Sequence, residues 1–264
     1  LARRSRTRLP TLVLAAALAF PLAVPARGEV TRKGDLIVSF GGSIAPRSLP
    51  RSGTTPIGVS LEGRVRTADR GVPPSLRRIS LEINRSGVLY DRGLPSCSIA
   101  KLQATPTAEA LAECGDARVG GGHVDGQVVI PDQAPFPFHG RVVAFNGRLR
   151  GGRPAILAHL YSPVPLSLTF VIAFRVRRIS GTYGTRLLAV VPPRTRRLMH
   201  VTRLVLHLRR TYVYGGRRRS YLSAGCPAPA GFPGATFPLA RASYTFDNGA
   251  TLTSTLVRTC HASD

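Results

Sequence analysis

The chain has 264 residues, a formal net charge of +24, 4 cysteines and no tryptophan. That length suits one large β domain or two small ones, and the basic balance, nearly all Arg with only Lys33 and Lys101 as lysines, directs attention to anionic partners. No cysteine pair has the two-to-four-residue spacing of a zinc knuckle, so the even count reads as two disulfides and not as a metal site.

Arg3, Arg4, Arg6 and Arg8 form a basic head, Leu12 to Val24 an apolar run, and Val24, Pro25 and Ala26 a small-residue cut site. Residues 1–26 are therefore expected to be a signal peptide. A membrane anchor is the competing reading, but Pro21 interrupts the run, which is shorter than the ~20 residues a span requires. No Cys follows the cut, which argues against a lipid anchor, and the arginines lack the apolar neighbours of a twin-arginine signal. Because the chain opens at Leu1, its true start is expected upstream or at an alternative codon. Without the four head arginines the net charge of +24 falls to +20. In an exported chain, proximity pairs Cys97 with Cys114 and Cys226 with Cys260.

Residues 27–34 are expected to be a linker, and 35–264 a single antiparallel β domain with a helical excursion over 97–115. Asp35 to Phe40 reads as a short strand ending in Gly41 and Gly42. From Ile57 to Arg66 the pattern has period two, with Ile57, Val59, Leu61 and Val65 facing one way and Ser60, Glu62, Arg64 and Arg66 the other. Ile79, Leu81 and Ile83 repeat it against Ser80, Glu82 and Asn84. Between Cys97 and Cys114 the pattern changes. Thr105 is placed to cap a helix with Pro106 at its first position, Ala108 to Glu113 are good helix formers, and Gly115 ends it.

The sheet resumes from Val119 to Pro131. Its run of Gly120, Gly121 and Gly122 lacks the Lys and Ser or Thr of a phosphate loop, and an edge or bulge is expected instead. Val142 to Leu149 and Ala155 to Tyr161 are further strands. Residues 155–174 are apolar enough to suggest a membrane helix. However, Leu166, Leu168, Phe170, Ile172, Phe174 and Val176 alternate strictly with polar or basic partners, and a helix would spread those six around its circumference. Two core strands joined at Ser162 to Pro165 are expected. Thr185 to Val191 follows, stopped by Pro192 and Pro193. A strand carrying Leu204, Leu206 and Leu208 is expected to run on through Tyr212 and Tyr214 before Arg217 to Gly225 returns.

The last two strands meet at Asp247, Asn248 and Gly249. A three-residue loop with Gly249 left-handed pairs Tyr244 with Leu252, gathers the apolar residues on one face, and leaves Thr251, Thr253 and Thr255 on the other. The architecture that follows is all-β, an antiparallel β-sandwich or distorted barrel of about ten to twelve strands, with one short disulfide-bound helical excursion. Two domains meeting near residue 116 is the alternative.

There is no nucleophile elbow and no His-Glu-x-x-His. Glu62 and Glu82 could form a carboxylate pair, against which each stands beside arginines on a polar strand face. His123 and Asp125 could supply two metal ligands, with no third fixed nearby, so no catalytic residue, metal or cofactor is assigned. The densest chemical feature is a tip with Tyr212, Tyr214, Tyr221, Arg217, Arg218 and Arg219, able to stack on and neutralise a polymer. Tyr is also an ordinary strand residue, and Arg an ordinary turn residue.

The run from Arg217 to Pro233, the opening Gly34 to Phe40, Leu94 to Cys97 and Ala144 to Gly147 together resemble secreted proteins of unknown function from GC-rich soil actinobacteria. The resemblance implies export and one continuous module, and no activity. The functional expectation is an exported, non-enzymatic protein of the secreted or cell-envelope space, binding an anionic envelope polymer or lipid headgroups. The alternative is a secreted hydrolase whose site is assembled only in three dimensions.

Overall fold

The computed structural model describes residues 28–263; the expected signal peptide lies outside the described residues. The strands are β1 (Glu29–Lys33), β2 (Leu36–Ala45), β3 (Ser48–Pro50), β4 (Thr55–Pro56), β5 (Gly58–Thr67), β6 (Leu76–Asn84) and β7 (Gly87–Leu89). After the helices α1 (Ile99–Leu102) and α2 (Thr107–Cys114) come β8 (Arg118–Val128), β9 (Phe136–Leu149), β10 (Arg153–Ser162), β11 (Leu168–Arg178) and β12 (Tyr183–Val190). A short α3 (Pro193–Leu198) then leads to β13 (Met199–Leu208), β14 (Thr211–Tyr214), β15 (Arg217–Ser220), β16 (Leu222–Ala224), β17 (Gly234–Phe246) and β18 (Thr251–Ser263).

Thirteen strands make one sheet in the order β1-β2-β5-β13-β8-β9-β10-β11-β12-β6-β17-β18-β3. All neighbours are antiparallel except β18 and β3. The sheet curls until its ends meet. Thr31 of β1 lies 2.8 Å from the Ser254 hydroxyl of β18, and the Arg258 Nε donates to the Gly42 carbonyl at 2.7 Å. Of the two expected architectures the distorted barrel is the one formed, and its seam is closed by side chains.

Period two decides which residues face the interior. Leu36, Val38 and Phe40 of β2, Leu81 of β6, Ile156 of β10 and Leu187 of β12 all join one buried cluster. Val124, Phe138, Val142 and Leu160 form a second toward the other end. The expected strand pair in 155–174 is present, with Phe170 and Ile172 packed on this interior. The small sheet β4-β16-β7 contributes Leu222, Ala224 and Leu89 at the β13 Leu208 end, while α3 bridges from β12 to β13 at the opposite end.

The helical excursion packs on the outside. Leu102, Ala110 and Ala117 bury against Val143, Phe145 and Leu157, the outward residues of β9 and β10. The Cys97–Cys114 disulfide closes this unit, and Cys226–Cys260 ties the proline-rich loop to β18; no free cysteine remains among the described residues. This is the cysteine usage of an oxidising compartment. No described helix is long and apolar enough to cross a membrane.

Several boundaries differ from expectation for physical reasons. Residues 29–33, expected as linker, form edge strand β1, where polar residues give no alternation because Val30 faces solvent at 67% exposure. Thr105 does not cap α2. Its hydroxyl donates to the Leu102 carbonyl, ending α1, and Pro106 takes the cap position without a side-chain bond. The glycine run lies in a central strand between β13 and β9 and so is no edge, although the pairing does shift between Arg118 and Gly120. A Cβ on Gly122 would fall 1.9 Å from the Val205 carbonyl oxygen, so the glycines let β8 and β13 approach closely. The strand at Leu208 stops, and β14 pairs only with β15 as a separate ribbon. Short β3, β4, β7, β14, β15 and β16, of two to four residues each, raise the strand number above the expected count of about ten to twelve, having too few residues to show a period.

Candidate functional site

The tip is the β14–β15 ribbon, in which Tyr212 faces Arg219, Val213 faces Arg218 and Tyr214 faces Arg217. Its tyrosines are turned toward the protein. Tyr221, in the expected set, has 0% exposure and belongs to the barrel core. Burial pushes its hydroxyl well above the ordinary phenol range, so it stays protonated and out of reach of a ligand. The Tyr212 hydroxyl reaches the carbonyls of Tyr90 and Arg92 at 3.1 and 2.9 Å, donating its one hydrogen between them. Burial raises its pKa to about 12, so this donor persists across the working pH range. Tyr214 lies against Gly93, with the Arg92 guanidinium 6.0 Å from its ring centre.

The structure therefore divides the six residues. Tyr212 and Tyr214 anchor the ribbon to the 90–93 loop; Arg219 and Arg217 stand opposite them on the same face, and Arg218 shares the outer face with Val213. Arg217, Arg218 and Arg219 are all exposed, and none makes an ion pair with a carboxylate among the described residues. Arg219 also rests 5.7 Å over the Tyr90 ring. One cation fixed by aromatic packing beside two freer ones gives a pre-oriented anionic contact.

At the foot of the ribbon, Arg209 and Arg210 lead into an open groove of about 630 Å³ with Arg118 and Arg141 on its walls and Gly120 to Gly122 on its floor. His207 also lines it and is held by Ser60 at 2.9 Å. No carboxylate lines the groove. Sequence reasoning missed it because its cations come from β8, β9 and the two residues after β13, which only the pairing brings together. The one legible signal was the glycine run, whose missing side chains form the floor.

The two glutamates considered from the sequence, Glu82 and Glu62, are each engaged by two arginines. Burial pulls the Glu82 carboxyl upward, but hydrogen bonds from Arg241 and Arg186 outweigh it and hold the pKa below its ordinary value. Arg186 Nε donates at 2.8 Å and Arg241 Nε at 2.8 Å, and Arg241 also stacks 4.8 Å over Tyr183. Glu62 is held likewise by Arg64 at 2.7 Å and Arg203 at 2.9 Å, again with its pKa lowered against an opposing burial effect. Glu62 and Glu82 lie on strands that are not neighbours, so they do not form the pair considered from the sequence. Asp125 meets His139 at 2.9 Å and Arg203 at 3.9 Å, and His123 is not its partner. Among the described residues no group of three His, Cys, Asp or Glu could hold a metal ion.

One buried histidine lies under the excursion. His159, at 0% exposure, reaches the Thr105 carbonyl at 2.9 Å through Nε2, while its Nδ1 has no partner among the described residues. Burial lowers its pKa, opposed in part by the Thr105 bond, so it is neutral and acts as a clasp between β10 and the excursion. No family model, curated protein or solved structure matches the chain.

Proposed function

We propose that this is an exported, non-enzymatic protein of the secreted or cell-envelope space that binds an anionic envelope polymer through a basic strip. The strip runs from the tip arginines, Arg217 to Arg219, down to the groove of Arg118, Arg141, Arg209 and Arg210. The observation that carries the reading is the contrast in charge pairing. Arginines beside Glu62 and Glu82 are neutralised at close range, whereas the strip gathers arginines with no carboxylate in the groove lining and none paired at the tip. Screening at physiological salt reaches about 8 Å, so cations clustered on one edge act together where scattered ones do not. The groove suits a chain of phosphate or carboxylate groups because guanidinium forks bind such groups through two hydrogen bonds.

The test is retention of the protein on immobilised teichoic-acid-like polymer across a salt series. Replacing Arg217, Arg218 and Arg219 with Ser is expected to weaken retention and flatten its salt dependence, and replacing Arg118, Arg141 and Arg210 to do the same. Replacing Arg64, Arg66 and Arg77 removes equal charge and is expected to have a smaller effect. An equal or larger loss from that control set would reduce the strip to ordinary surface.

A further inference from the structure

The barrel interior holds three adjoining cavities of about 80, 120 and 100 Å³. The first and second share Leu61, Leu81 and Ile156 as lining, and the second and third share Ala158, Phe174 and Leu206, so they form a series along the barrel. Leu, Ile, Val, Phe and Ala dominate the lining, and no carboxylate takes part. Well-packed cores have few voids larger than a water molecule. Together these cavities hold roughly twice the space that accommodates a benzene ring, room for on the order of a dozen carbons.

The series approaches the surface beside α3. Phe170 and Thr195 line both the third cavity and an outer pocket of about 760 Å³ between α1, β11 and α3. The wall is incomplete there. β11 pairs with β12 only from Arg175 to Arg178, so the stretch from Leu168 to Phe174 has no ladder partner on that side. Apolar side chains stand exposed nearby, including Val164 at 68%, Leu166 at 44% and Val190 at 55%. The outer pocket also carries two cations, Arg194 and Arg197, exposed and without an ion-pair partner among the described residues. Arg196, between them, is instead tied to Asp247 at 2.9 Å and fixes α3 to the last hairpin.

An apolar series that opens at a mouth carrying positive charge matches an amphiphile with one chain and one anionic head. We propose that the barrel binds a single-chain fatty carboxylate, with its chain in the cavity series and its carboxylate at Arg194 and Arg197. The mouth is separate from the basic strip, and this proposal stands apart from the polymer-binding reading.

The experiment is isothermal titration of the full chain with dodecanoate below its micelle concentration, beside dodecanol and acetate. One dodecanoate per chain is expected, with a negative heat-capacity change from apolar burial, and no saturable acetate binding. Replacing Arg194 and Arg197 with Ser is expected to weaken dodecanoate several-fold and leave dodecanol unchanged. Ala158→Phe, at the junction of the second and third cavities, is expected to weaken both ligands at least tenfold. That ring can also cost the fold, so thermal melting is followed, and Thr195→Trp serves as a second variant at a half-exposed site. It is expected to slow dodecanoate uptake at least tenfold and, in a chain without other Trp, to report dodecanoate but not acetate by its fluorescence. The proposal is overturned by non-saturable dodecanoate binding, by a stoichiometry well above one, by equal effects of the arginine replacements on dodecanoate and dodecanol, or by binding that neither Ala158→Phe nor Thr195→Trp alters.

Discussion

Glu82 shows how a single residue draws the surface charge into the fold. It stands at 6% exposure between β12 and β17, and each oxygen is claimed by an arginine from a different strand. Its folded pKa lies below the ordinary 4.5, so the stabilisation is present above that value and is lost as pH falls through the folded pKa. Glu82→Gln is expected to cost roughly 1–2 kcal/mol at pH 7, because Arg186 and Arg241 lose a charged acceptor but, with side chains 45% exposed, stay in reach of water. The gap from wild type should close as urea melts are moved below pH 4.5. His159 acts in the same direction at higher pH. Its folded pKa is lowered from 6.5, so the stability it contributes is complete above that value and declines as pH falls toward the folded pKa. His159→Gln should flatten the acid side of the melting-temperature profile just below pH 6.5.

At the scale of elements, legibility followed the length of the repeating pattern. The β17–β18 hairpin was readable to its register. Tyr244 faces Leu252, the Phe246 amide donates to the Ala250 carbonyl, and Gly249 is left-handed at φ +80. A side chain at that φ is strained, so Gly249→Ala is expected to cost about 1 kcal/mol without changing the pairing, as denaturant melts and cross-strand amide contacts would show. Both disulfides were readable from proximity in the sequence, since each joins cysteines 17 or 34 residues apart. Three-residue strands were not, since β7 and β16 are recognisable only through their pairing, β16 with both β7 and β4. The division of the tip was hidden for another reason. A tyrosine's residue type does not say which way it turns, and only the carbonyls of the 90–93 loop and the core behind it reveal that Tyr212 and Tyr221 are both turned inward.

For the whole molecule, alternation disclosed an inner face but not the order of strands around it, because neighbours such as β2 and β18 meet across more than 200 residues of chain. The groove and the mouth beside α3 depend on that order and were invisible for the same reason. Closure at the seam differs from the other junctions, each of which has a backbone ladder over at least part of its length, in resting on side-chain hydrogen bonds. Arg258 supplies one of its bonds. Its Nε donates across the seam to the Gly42 carbonyl, while its Nη1 donates to the carbonyl of its own neighbour Val257 at 2.6 Å; burial lowers its pKa, although it remains charged in any ordinary buffer. Arg258→Met keeps much of the stem and removes the donors, leaving the Gly42 carbonyl without its side-chain partner, at a cost of about 1–3 kcal/mol. The loss should be local before it is global. Amide exchange is expected to rise first in β1 and along β18 near Ser254, with the β9–β10 ladder as protected as in wild type. Uniformly faster exchange through both regions would mean that the seam is as cooperative as the rest of the sheet and that closure does not depend on this guanidinium.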